Sequence, residues 1–131
     1  MKKHLIQAAE RGDAEAQFNL AIMYENGLVD SRYVAEGNHL EAVRWLLAAA
    51  EQGLGRAQVK LAEVYAIEPD TPDNSVKACE WYLLAARTLR GVHLQTAQSA
   101  YQRAAICLTP VQTAEVMRFV QNWKAKEPSH V

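Results

Sequence analysis

The chain has 131 residues, 14 of them Lys or Arg and 15 Asp or Glu, for a net charge of −1 at pH 7. That length suits one domain, and near-neutral charge excludes the basic footprint of a nucleic-acid module. No apolar run exceeds the six residues of Trp45 to Ala50, far below the ~20 that a membrane-crossing helix needs.

Residue types narrow the class further. The 22 Ala and 13 Leu outnumber 11 Val and 4 Ile, with only 6 Gly and 4 Pro. Ala and Leu are strong helix formers, and so many methyl side chains let helices approach closely, so an all-α protein is predicted. The opening Met1-Lys2-Lys3-His4-Leu5-Ile6 reaches Gln7 and Glu10 before the apolar centre of an export signal can form. A cytoplasmic protein is therefore expected.

In chain order, Ala8-Ala9-Glu10-Arg11 runs into Gly12, as helices closed by a left-handed glycine do. Gln17, Leu20, Ala21 and Tyr24 then fall at i, i+3, i+4 and i+7, one stripe of a helix. Asn38, with Glu41 three residues later, reads as an N-cap with a capping box, and Ala42, Leu46 and Ala49 share a face behind it. Gly53 closes that helix. The segment from Ala57 to Tyr65 repeats the pattern of Ala16 to Tyr24 at a distance of 41 residues, keeping Ala, Gln, Leu, Ala and Tyr. The segment from Asn74 to Ala86 repeats Asn38 to Ala50 at a distance of 36, so the first unit carries five extra loop residues. Asn74 is the matching N-cap.

Ala97-Gln98-Ser99-Ala100-Tyr101 continues the period, with Tyr101 in place of Leu and Ala105 in place of Tyr. Thr109, Pro110 and Gln112 make a capping box with proline at the first helical position. The helix over 110–126 is expected to turn Val111, Ala114, Met117, Val120 and Asn122 to Trp123, a mostly apolar stripe, toward the last hairpin as a cap. Tyr24 and Tyr65 are expected in the core, beside Ala42 and Leu46 in one unit and Ala78 and Tyr82 in the next.

The pattern Ala-Gln-x-x-Leu-Ala-x-x-Tyr, a loop, then Ala-x-x-Trp and an Ala-Ala pair resembles the Sel-1-like repeat, a relative of the tetratricopeptide repeat. The resemblance implies one repeat domain over 1–131: a partial unit at 4–13, repeats at 14–53 and 55–90, and a degenerate hairpin and cap at 93–126. The implied fold is a short α-solenoid of antiparallel helical hairpins, about seven helices in a right-handed superhelix. The implied setting is a bacterial cytoplasm. The family shares a scaffold rather than a chemistry.

No catalytic constellation stands out. His4, His39, His93 and His130 are scattered, with no pair at metal-ligand spacing. Cys79 and Cys107 lie 28 residues apart, match no zinc or redox spacing, and read as two buried thiols in a reducing compartment. Gly53-Leu54-Gly55 lacks the strand and lysine of a phosphate loop. Glu68, Asp70 and Asp73 read as a solvated turn rather than a calcium site, given Pro69, Pro72 and the missing glycine. No cofactor, no metal and no enzymatic activity are expected.

Phe18 and Ile22 stand about 100° from the Leu20–Tyr24 stripe, in line with Glu15 and Glu25. In arrays of the family that this chain resembles, the line faces a concave groove. Arg56, Val59 and Glu63 continue it in the second unit, and Ser99 and Arg103 in the third. Mixed apolar and charged residues suit a peptide or partner helix, so an interaction module without nucleic-acid or membrane partners, monomeric or weakly dimeric, is expected. The alternatives are a homo-oligomer formed through an end face, a small-ligand or enzymatic variant, and binding by the first-unit loop over 27–37 around Tyr33 and Val34.

Overall fold

Two glycines set the first boundaries. At Gly12 (φ 101°) and Gly53 (φ 99°) the backbone enters the left-handed region, where a side chain would be strained. Gly12 N–H donates to Ala9 O at 3.0 Å and Asp13 N–H to Ala8 O at 3.1 Å; Gly53 and Leu54 repeat this with Ala50 O and Ala49 O at 3.0 and 3.3 Å. Both ends are Schellman closures that satisfy carbonyls left over by the helix. Asp13 then starts the next helix, its carboxylate accepting from Ala16 N–H at 3.2 Å.

The structure, a computed structural model, describes residues 2–25, 35–67 and 72–127. Those residues form seven helices and no strand: α1 (Lys2–Glu10), α2 (Ala14–Glu25), α3 (Ala35–Glu51), α4 (Gly55–Ile67), α5 (Pro72–Ala86), α6 (Gly91–Ala105) and α7 (Pro110–Asn122). By their contacts they divide into two compact units, Met1–Ala57 with Ala125–Val131, and Gln58–Lys124.

In the first unit α2 packs against α1 and α3. Its core is Leu20, Leu46 and the methyl groups of Ala9, Ala21, Ala42 and Ala49, all essentially inaccessible, so the alanine content is spent on close helix contacts. Gln17 is the polar centre of this core. It is buried, its Nε2 donates to Ala9 O at 3.1 Å, and its Oε1 accepts from Gln52 Nε2 at 2.9 Å. The repeated Gln thus ties the end of α1 to the turn after α3.

In the second unit α5 packs against α6 and α7. Val76, Cys79 and Val116 form a buried cluster joined by Leu83, Tyr101, Leu108 and Val120. Trp81 is buried and meets Phe119 and Trp123 edge-on, at centroid distances of 5.9 and 6.5 Å. Thr109 and Gln112 form the expected capping box, with reciprocal bonds of 3.1 and 2.9 Å.

Four expectations need correction. Helix α3 begins at Ala35 and α5 at Pro72, so Asn38 and Asn74 lie inside their helices rather than at the caps. Tyr24 and Tyr65 are only half-buried, whereas Leu20, Leu46 and Leu61 are fully buried. Cys107 is exposed while Cys79 is fully buried, because Cys107 falls in the turn after α6. The cap helix is also rotated. Val111 and Met117 are exposed at 67% and 43%, and Val116 is fully buried. Steps of three residues drift about 60° each, so Val111 and Val120 stand on opposite sides of a helix and cannot share a stripe. The stripe that packs is Val116, Phe119, Val120 and Trp123, at i, i+3, i+4 and i+7.

Candidate functional site

Helix α2 presents Glu15, Phe18, Ile22 and Glu25 on the flank of its buried Gln17–Leu20–Ala21 face. Phe18 and Ile22 are half-buried, and Glu15 and Glu25 are exposed. Arg56, in the first turn of α4, spans the gap to them. Its guanidinium lies 5.2 Å from the centroid of the Phe18 ring and its Nη2 pairs with the Glu15 carboxylate. A cation over an aromatic face is held by the ring quadrupole, and the carboxylate fixes it from the side. Phe18, Glu15 and Arg56 thus form one cluster on the first unit.

The remaining residues of the line belong to the second unit. Val59 is half-buried, and Glu63, Ser99 and Arg103 are exposed. Glu63 and Arg103 both act on the Tyr82 phenol. Burial raises the Tyr82 pKa, Glu63 raises it further and Arg103 opposes. The hydroxyl therefore stays protonated through the neutral range, able to donate as well as accept.

Tyr82 also lines a cleft of about 290 Å³ between α5 and α6. Leu83 and Ala86 flank it on α5, and Gln98, Tyr101 and Gln102 face it from α6. The lining holds no histidine, cysteine or carboxylate, so nothing in it supplies a nucleophile or a general base at neutral pH. No pattern in the sequence marked this cleft.

The two thiols are not equivalent. Burial, with Glu80 and Cys107 adding to it, pushes the Cys79 thiol up to about 11, which suits a packing role and not a nucleophile. Among the described residues no group of three or more His, Cys, Asp or Glu is placed to hold a metal ion. Nor is any described helix long and apolar enough to cross a membrane. Tyr33, Val34, Glu68, Asp70 and His130 lie outside the described residues.

Paired helices closed at equivalent glycines, with alanine-lined contacts and a repeated buried tryptophan at Trp45 and Trp81, define an all-α helical-repeat protein. The Sel1 repeat family model matches residues 14–54 and 55–87, together more than half of the chain. The chain belongs to the Sel1 repeat family. Repeats of this family generally serve as protein-interaction modules. Comparison with curated proteins and with solved structures gives no match.

Proposed function

We propose that this chain is a non-enzymatic protein–protein interaction module that binds a peptide or helix at the exposed flank of α2, where Arg56 of α4 meets it. The observation that carries the reading is the Phe18–Arg56–Glu15 cluster. It is an aromatic side chain left half-exposed and held in place by a cation and a carboxylate. A pre-ordered aromatic anchor loses little conformational freedom on binding, and such residues dominate truncation energies at interfaces. Ile22 supplies a second apolar contact on the same helix, and Glu25 sets orientation through charge. The interaction needs no cofactor, and its setting is a bacterial cytoplasm.

The test is affinity capture from extract with the wild-type chain and with the Phe18→Asp/Ile22→Asp double variant. The expected result is loss of specific partners with helicity and melting temperature retained. Capture of the same partners by the variant moves the site elsewhere, and an unfolded variant makes those residues core.

A second reading draws on exposed Val111 and Met117 of α7: association of copies through the outer face of that helix. Sedimentation of wild type against Val111→Ser/Met117→Ser separates the two.

A further inference from the structure

We propose that Cys107 and Cys79 are a redox-modification site: a hydroperoxide oxidises the exposed Cys107, and the buried Cys79 then closes a disulfide between α5 and the turn after α6. The inference goes beyond the Phe18 site and does not depend on it.

Position carries the argument. Helices α5 and α6 pack together, and Ala86 and Tyr82, one turn apart on α5, share a cleft with Ala97 and Tyr101, one turn apart on α6. The two helices run in opposite directions, so each further turn toward the start of α5 is matched by one toward the end of α6. That register brings Cys79 level with Ala104 and Ala105, and Val76 level with Leu108. All three partners do pack against the buried cluster of Val76, Cys79 and Val116. Cys107 stands in the chain between Ala105 and Leu108, so both its flanks are held at the cluster while its own side chain is exposed. The electrostatic effect of Cys107 on the Cys79 thiol agrees with this placement. The chain has no other cysteine to compete.

The two thiols take different parts. Cys107 is the one that a peroxide reaches. Its sulfur attacks one peroxide oxygen, the O–O bond breaks, and the other oxygen leaves as an alcohol, or as water from hydrogen peroxide. Cys107 is then a sulfenic acid. The Cys79 sulfur attacks the Cys107 sulfur, the S–O bond breaks, and the departing hydroxide takes the Cys79 proton and leaves as water. Two thiols and one hydroperoxide thus give one disulfide, one alcohol and one water, with two electrons passing from sulfur to the O–O bond. Cys79 cannot make that attack from the closed core, where burial suppresses its thiolate. The second step therefore follows a local opening of the α6–α7 turn, which removes the burial and lets the two sulfurs reach bonding geometry.

The test treats the full, reduced chain with hydrogen peroxide, blocks the remaining thiols with an alkylating reagent, and reads intact mass and peptide maps. The expected product is a monomer that has lost two hydrogens, a change of about 2 Da. It carries no alkyl label, holds Cys79 and Cys107 in one cross-linked peptide pair, and returns to two free thiols with dithiothreitol. Cys107→Ser should abolish the product and leave Cys79 reduced. Cys79→Ala should also abolish it and accumulate the Cys107 sulfenic acid, trapped by a cyclic dione. Circular dichroism verifies that each variant is folded, and the exposed Cys107→Ser keeps the test decisive if Cys79→Ala is not. Over-oxidation of Cys107 with Cys79 still reduced, or disulfides formed only between chains, overturns the proposal.

Discussion

Lys126 holds Glu51 twice: its backbone N–H donates to the Glu51 carbonyl at 2.7 Å, and its Nζ pairs with the Glu51 carboxylate at 2.8 Å. Glu51 is the last residue of α3. Its carbonyl has no partner within the helix, and a cation at that end is favoured by the helix dipole. The two contacts separate by mutation. Lys126→Ala removes an ion pair whose Lys side is 67% exposed, so it should cost no more than ~1 kcal/mol. Lys126→Pro also removes the N–H and should cost about 1 kcal/mol more. Urea denaturation of the two variants gives the comparison, and equal midpoints would mean that the backbone bond contributes nothing.

Gln17 offers a sharper case because it is buried. Gln17→Ala leaves Ala9 O and Gln52 Nε2 without the partners they have in the native fold, and an unsatisfied buried group costs roughly 1–3 kcal/mol. Gln52 is only half-buried, so Gln52→Ala, whose loss water can partly replace, should cost less. Chemical denaturation should rank the pair in that order.

What the sequence showed and what it hid divide along one physical line. Features fixed within one helix or one repeat were legible. Gly12 and Gly53 closed their helices, the Thr109–Gln112 box formed, and Trp45 and Trp81 fell at equivalent buried positions. Features fixed by which neighbour a side chain meets were not. Gln17 looked like one member of a stripe, but its role appears only when Ala9 and Gln52 arrive from either side. Tyr24 and Tyr65 held repeat positions, yet leucine took the centre of the core. The candidate line was visible as a spacing, whereas the hold of Arg56 on Phe18 and the α5–α6 cleft needed the packing itself.

The thiols should report the packing directly. Cys107 is exposed, while Cys79 is buried with its pKa pushed up to about 11. Since the thiolate is the reactive form, Cys79 is shielded by access and by ionisation together. A colorimetric disulfide reagent should therefore titrate one thiol in the native protein and two in denaturant, with mass spectrometry placing the native label on Cys107. Rapid native labelling of both would contradict the buried cluster around Cys79.

Glu80 sets a pH dependence whose sign can be worked out. Burial raises its pKa above the ordinary 4.5, Glu115 raises it further, and Lys77 partly opposes. The native state thus binds the proton more tightly than the unfolded chain does, and this group's contribution to stability falls as pH rises through the carboxylate range. At neutral pH the ionised side chain is a liability. Glu80→Gln should melt higher than wild type at pH 7, and the gap should close as the pH falls toward and below 4.5, where the native and unfolded chains both carry the proton. A gap that stays constant with pH would assign the effect to packing instead.

The orientation of α7 decides whether the terminal helix caps through its aromatic side chains or through the face that a step of three residues suggests. Trp81 meets Phe119 and Trp123 edge-on, and Val116 is fully buried beside Cys79 and Val76. Trp81→Ala opens a cavity under both rings and should cost roughly 3–5 kcal/mol. Val111 is 67% exposed, so Val111→Ser should stay within about 0.5 kcal/mol of wild type. Val116→Ala tests the same rotation from inside. It removes buried methyl groups and should fall between the two, at about 1–3 kcal/mol. Thermal and urea melts of the three variants give the order Trp81, Val116, Val111. If Val111→Ser costs more than Val116→Ala, α7 packs through Val111, Ala114 and Met117, and the aromatic contacts with Trp81 do not hold it.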